Sequence, residues 1–193
     1  NYALSTGRAA SGRAVLGSWL TNALGSETQE LPAYVALTDT RGLPLIGGEN
    51  WSNGKLPSIY QGTMVRPVAP RIFNLDPPRH LKGSPQEEQL RLLDRLNREH
   101  FKQHPGENDL EARMKSYGLA ARMQVAAREA FDISRETDAT KKMYGMDSSD
   151  RQVAGYGLQC LLARRLVERG VRFIELSCLN EGIGAGNGPN PWD

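Results

Sequence analysis

Asp193 closes a stretch whose order of elements can do chemistry. A helix carrying Cys160 to Arg169 stops at Gly170, an apolar strand over Val171–Ser177 follows at once, and a glycine-rich loop, Gly182–Gly188, leads to Pro191-Trp192-Asp193. Open α/β sheets bind their ligands just outside the carboxyl ends of strands. An acid that follows a strand and a glycine loop therefore stands where an active-site carboxylate would, although one acid alone equally fits a solvated surface position. The glycine loop can hold an anion on its backbone N–H groups. It lacks the Lys-Ser/Thr ending of a P-loop, and a flexible or ligand-ordered loop accounts for it better.

Other chemistry-bearing residues are weaker candidates. His100 and His104 are spaced i, i+4, as zinc-chelating pairs are, but Phe101-Lys102-Gln103 between them supplies no acid. A solvated helix end, with basic groups near its negative pole, accounts for them better. Trp51 and Trp192 lie in loop sequence, where stacking on a substrate and simple packing compete evenly. Trp19 sits at helical spacing and is expected in the core. Cys160 is expected as a small buried apolar residue. With Cys178 it leaves a disulfide open without composing a disulfide framework.

Composition bounds the rest. The 193 residues suit about one domain. Hydrophobic content is 39%, and no apolar run approaches the ~20 residues of a membrane helix. Net charge is +2 with no concentrated basic stretch, which argues against nucleic acid as the partner. The chain opens on Asn1-Tyr2-Ala3-Leu4 without an initiator Met, and both ends read as interior to something longer.

The elements that must position these residues follow from pattern. Residues 1–7 read as the last turn of a helix closed by Gly7. Ala14–Leu24 reads as a helix with Val15, Leu16, Trp19, Leu20 and Ala23 inward, ended by Gly25. Leu31–Thr38 is a continuous apolar run opened by a proline, a strand buried on both faces. Residues 39–85 are dense in Gly, Pro and Asn, a long loop region of the kind that is functional or disordered. Its embedded Trp51, Leu56, Ile59, Tyr60 and Met64 argue for order, and residues 71–75 are a candidate short strand. Ser84-Pro85-Gln86-Glu87 predicts a capped helix start, with Leu90, Leu92, Leu93 and Leu96 as its apolar face. A second helix, Asp109–Ala130, carries the stripe Leu110, Met114, Tyr117 and Ala121 toward the core. The two helices form an αα-hairpin insert over residues 84–131. Ile133–Asp150 reads as a surface loop, and the last helix turns Leu158, Leu161, Leu162 and Leu166 inward.

Several stretches, taken together and in order, resemble a known family: Gly17-Ser18-Trp19; Leu24-Gly25-Ser26-Glu27 with Leu31-Pro32-Ala33-Tyr34-Val35; Asn50-Trp51-Ser52-Asn53-Gly54-Lys55-Leu56-Pro57 through Thr63; Ser116-Tyr117-Gly118-Leu119-Ala120-Ala121-Arg122-Met123-Gln124; Cys160 to Phe173; and Trp192-Asp193, which the family normally follows with a histidine. The family comprises exported bacterial proteins, sulfatase-like or left as a domain of unknown function, within the alkaline phosphatase superfamily and exported by the twin-arginine route. Ala3-Leu4-Ser5-Thr6-Gly7-Arg8 is also similar to the segment that ends the nucleophile helix of sulfatases. The chain departs from the family pattern at Ala14-Val15, where Pro-Ser is usual, and at Gly118, where Glu is common. Both departures fit a divergent subfamily with another substrate.

The resemblance implies a fold and a function. The fold would be an α/β sheet of the alkaline phosphatase or sulfatase kind, flanked by helices and incomplete here, so that residues 1–193 form the central part of one such domain. The nucleophile would fall about two helical turns before Thr6, hence before Asn1. Asp193 matches a metal-ligand position for a divalent cation, whether zinc, calcium, magnesium or manganese. The parent would hydrolyse sulfate or phosphate esters of a small molecule or a polysaccharide, in the periplasm or outside the cell, with this segment alone inactive. Asn50 and Gln61 as hydrogen-bond donors, with Trp51 and Tyr60 as flat apolar surfaces, would form a substrate wall. The rival role for that loop is a brace between the sheet and the αα-hairpin. The rival for the whole is an exported protein of the same fold that has lost catalysis and binds polysaccharide or a cell-surface partner.

Overall fold

The computed structural model describes residues 2–179 except 9, 45, 74, 77, 79, 81, 82 and 105–107, with backbone alone at 84–85 and 108–109. Among these residues the protein is a mixed α/β structure. A three-stranded, all-parallel sheet of order β2-β1-β3 is flanked by helices. In chain order the elements are α1 (Tyr2–Thr6), α2 (Leu16–Leu24), β1 (Tyr34–Leu37), β2 (Thr63–Val65), α3 (Ser84–Gln103), α4 (Asn108–Phe131), α5 (Asp138–Met143), α6 (Arg151–Val167) and β3 (Phe173–Leu176). Two short 3-10 turns, Gly47–Trp51 and Ser58–Tyr60, lie between β1 and β2.

The centre is β1. Val35 pairs with Thr63 of β2 and with Ile174 of β3, and all four β1 residues are buried. Val35 and Leu37 face a core with Leu31, Val65, Met123, Ala127, Leu162 and Leu166, supplied in large part by α4 and α6. Tyr34 and Ala36 face the other way, onto Tyr2, Val15 and Trp51. Covering both faces is what makes a parallel strand read as an unbroken apolar run. The helix stops expected at Gly7, Gly25 and Gly170 are present, all three glycines with positive φ.

Three helices face differently from their apolar patterns. In α2 the inward side is Gly17, Ser18 and Thr21, while Leu16, Trp19 and Leu24 are exposed, Trp19 by 54%. Proximity to the sheet is the cause. A Cβ on Gly17 would stand 2.5 Å from the Phe173 ring and 2.8 Å from the Tyr34 ring, so only small residues fit between helix and rings. Ser18 Oγ and Thr21 Oγ1 satisfy themselves on the Ser52 and Gly17 carbonyls at 3.1 and 2.9 Å. On α3 the expected apolar face is uncovered, with Leu92, Leu93 and Leu96 all exposed. On α4 Tyr117 is exposed and the core side is Leu119, Met123, Ala127 and Ala130.

Local corrections follow the same logic of tertiary contact. Gly83, with φ +82°, holds the cap position of α3, and no side chain caps the helix there. Arg71–Phe73 is not strand. Arg66 N donates to Arg71 O at 2.8 Å and closes a turn instead, and the strand of this region is β2. Within the expected surface loop 133–150 stands α5, capped by Thr137 Oγ1, which accepts from Thr140 N at 3.1 Å. The connector before it is fastened by ion pairs of Glu136 with Arg164 and the largely buried Arg165. Helices α3 and α4 lie in contact, Gln86 Nε2 of α3 donating to Gln124 Oε1 of α4 at 3.1 Å. Among the described residues no helix is long and apolar enough to cross a membrane.

Candidate functional site

Parallel strands deliver all their carboxyl ends to one edge, and that edge is where ligand crevices form. Here β1 exits through Thr38-Asp39-Thr40-Arg41, and β3 exits beside it through Ser177-Cys178-Leu179. The ladder continues past both strands: Ser177 N donates to Leu37 O at 2.9 Å, and Thr38 N to Val65 O at 3.0 Å.

Asp39 organises this edge. Its Oδ1 accepts from Arg41 N at 2.8 Å and Arg41 Nε at 3.0 Å, and its Oδ2 accepts from Arg41 Nη2 at 2.8 Å. Oδ2 also accepts from Leu179 N at 2.7 Å, across 140 positions of sequence. Burial works to raise the carboxyl, but the hydrogen bonds from Arg41 and Leu179 and the Arg41 charge outweigh it and hold Asp39 below the usual carboxylate range. A carboxylate with all its lone pairs engaged is a tether between the two strand exits. It is neither a free base nor a free metal ligand.

The side of α6 nearest this edge carries Gln152, Tyr156, Gln159 and Cys160. Arg41 Nη1 donates to Gln152 Oε1 at 3.2 Å, and Gln159 Nε2 donates to Thr38 O. Gly155 lets the helix lie close: a Cβ there would meet Thr40 Cγ2 at 3.0 Å. A small cavity of about 10 Å³ lies among Asp39, Thr40, Arg41, Gln152, Tyr156 and Gln159, near the volume of one water. Gln159 Oε1 is buried with no partner among the described residues.

Asp39→Asn is expected to cost about 2 kcal/mol at neutral pH, within the range for losing hydrogen bonds to a charged group. A depressed carboxylate contributes stability above its unfolded pKa of ~3.9 and loses it as pH falls through the lower folded value. The gap between wild type and D39N in urea melts should therefore be full above about pH 5 and close below about pH 4. A gap independent of pH would contradict the ionised tether.

On the other face of the sheet, Tyr34 OH donates to Glu175 Oε2 at 2.6 Å, and Phe173 meets the Tyr34 ring edge-on at 5.2 Å. Burial pushes the Glu175 carboxyl up against the lowering effect of the Tyr34 hydroxyl. Burial and the Glu175 charge push the Tyr34 hydroxyl up as well.

The expected wall residues are not gathered at one surface. Asn50 is buried and donates to Gly47 O at 3.0 Å inside its own turn. Trp51 is buried against Tyr2, Val15 and Tyr34. Tyr60 is half-buried and Gln61 exposed. Tyr60 lines a cleft of about 660 Å³ between the body and the αα-hairpin, with Ile59, Phe101, Met114, Leu119 and Arg122 among its other walls. The loop thus touches the core at one end and α4 at the other. Asp193, Trp192 and the Gly182–Gly188 loop lie outside the described residues. His100 and His104 stack with ring centroids 4.1 Å apart, and His104 Nδ1 lies 2.9 Å from His100 O. Among the described residues no three or more His, Cys, Asp or Glu side chains are grouped to hold a metal ion.

Two residues that matter here were not singled out from the sequence. Asp39 follows an apolar strand as directly as any acid in the chain, and Glu175 interrupts an apolar run. Both signals were visible.

The profile of a family described as "Protein of unknown function (DUF1501)" matches residues 1–193. The chain belongs to the DUF1501 family. No curated protein and no solved structure matches it. In this DUF1501 chain the arrangement of the sheet edge is what bears on function.

Proposed function

We propose that this DUF1501 chain is the central part of a metal-dependent hydrolase of sulfate or phosphate esters, built on the alkaline phosphatase or sulfatase plan. One observation carries the reading. Two adjacent parallel strands release acid-bearing connections at the same edge: Asp39 follows β1, and the chain to Asp193 follows β3, its first residues held by Asp39 through Leu179 N. That is the position of ligand crevices in open α/β sheets. The described residues do not by themselves fit a divalent cation, since Asp39 is saturated and no other donors are grouped. The reading therefore assigns the cation to residues outside them, Asp193 included; the periplasmic or secreted location it carries rests on the family resemblance alone.

A second reading has its own support. The uncovered leucines of α3 and the exposed Leu16, Trp19 and Leu24 of α2 are apolar surface of the kind that marks binding proteins. On that reading the fold binds a polysaccharide or surface partner without catalysis. Assay of the complete gene product with p-nitrophenyl sulfate and p-nitrophenyl phosphate separates the two. Turnover of one ester, abolished by EDTA and restored by zinc, calcium, magnesium or manganese, is expected. No turnover of either, with retention on an immobilised polysaccharide, would favour the binding protein.

A further inference from the structure

A cavity of about 340 Å³ lies between Thr6 of α1, the turn at Gly12-Arg13, Trp19 of α2 and the loop at Lys55-Leu56. Its volume falls within the ~300–1,000 Å³ of small-molecule sites, and it shares no residue with the Asp39 cluster. Its walls are fixed by backbone contacts. Arg13 N donates to Tyr2 OH at 2.8 Å, and Val15 N to Ser52 O at 3.1 Å. A Cβ on Gly54, whose φ is +53°, would stand 2.2 Å from Ala14 N, so the segments bearing Arg13 and Lys55 run in direct contact. Leu56 N donates to Asn53 O at 2.9 Å and closes the turn that carries Lys55. Trp19 N donates to Val15 O at 3.1 Å, and the indole at this wall is exposed.

The charge at these walls has one sign. No Asp or Glu lines the cavity. Among the described residues neither Arg13 nor Lys55 makes an ion pair, whereas Arg41, Arg98, Lys115 and Arg164 all do. The Thr6 hydroxyl is already engaged by Tyr2 O and Arg8 O, both at 2.8 Å. Recognition of a polar group therefore falls to the two cations. Arg presents a planar fork that matches a carboxylate, and Lys a mobile point charge. Trp19 adds a flat apolar face on which a ring can stack.

We propose that this cavity binds a small aromatic carboxylate, with the ring on Trp19 and the anionic oxygens held by Arg13 and Lys55. Two cations without a wall carboxylate favour a dicarboxylate over a monocarboxylate, and either over a neutral ring. The inference asks for binding alone and holds under either reading of the function.

The test titrates the complete gene product with phthalate, benzoate and neutral benzamide, by calorimetry and by tryptophan fluorescence. Phthalate is expected to saturate one site per chain, to quench the Trp19 emission, and to bind more tightly than benzoate, with benzamide weakest. Arg13→Ala and Lys55→Ala are each expected to weaken phthalate by about tenfold, as loss of a charge-assisted hydrogen bond does. Both side chains are exposed, and a thermal melt confirms that the variants fold. Trp19→Phe keeps a ring at the wall and is expected to bind phthalate with the quenching abolished. No saturation, benzamide bound as tightly as phthalate, or equal phthalate affinity in wild type and the two cation variants would each overturn the proposal. Quenching that survives in Trp19→Phe would place the ligand elsewhere and overturn it too.

Discussion

Asp193→Asn in the complete gene product is expected to lower the proposed ester turnover by about a hundredfold or more. Asn keeps the size and one oxygen of Asp but removes the charge, and hard cations favour anionic oxygen ligands. Disturbing even the partners of a metal ligand typically costs about 10–100-fold in affinity or activity, so removing the charged ligand that the proposed function makes of Asp193 should cost at least the upper figure. A hundredfold is about 2.7 kcal/mol of transition-state stabilisation. Far-UV circular dichroism and a thermal melt separate lost activity from lost fold. Turnover within about threefold of wild type, under 1 kcal/mol, would remove Asp193 from the site.

Gly157→Ala is expected to be among the most destabilising single-methyl additions in the chain. A Cβ at Gly157 would lie 1.9 Å from the Tyr144 carbonyl oxygen and 3.0 Å from its carbon. The obstacle is backbone, so no rotamer change relieves it. Helix α6 cannot retreat easily, because Leu161, Leu162 and Leu166 on it are fully buried. Overpacking of this kind costs about 1–3 kcal/mol or more. The upper end corresponds to about 6–12 °C in Tm for a chain of this size. Gly118→Ala in α4 is the control. Its Cβ would meet only the flexible Arg122 guanidinium, at 3.3 Å, and the gain in helix propensity is about 1 kcal/mol. Urea denaturation of the two variants should therefore move in opposite directions. Equal and small shifts would contradict the close seating of α6 on the turn after α5.

How much of this was legible depends on which force set each feature. The β1 run and the stops at Gly25 and Gly170 are local consequences of burial and backbone conformation, and the sequence carries them directly. The orientation of α2 is not local. Its apolar side is plain, but the Tyr34 and Phe173 rings reach so close that only Gly17, Ser18 and Thr21 fit against them. The leucines of α3 also show a clear stripe, and a stripe does not say whether anything covers it. β2 is three residues long, and Thr63-Met64-Val65 gives too short a pattern to register. An acid after a strand was recognisable in Asp193 and equally in Asp39. The partners of Asp39 were not, since Leu179 lies 140 positions away and comes near only when β3 pairs with β1.

The account rests on chemistry at the carboxyl edge of this parallel sheet. Anomalous diffraction from crystals of the complete gene product soaked in manganese tests that most directly. The predicted result is a cation on the Asp193 carboxylate, at the edge where β1 and β3 exit. A cation bound elsewhere in the protein with Asp193 uninvolved, or none in crystals of a protein that still hydrolyses the ester, would contradict it.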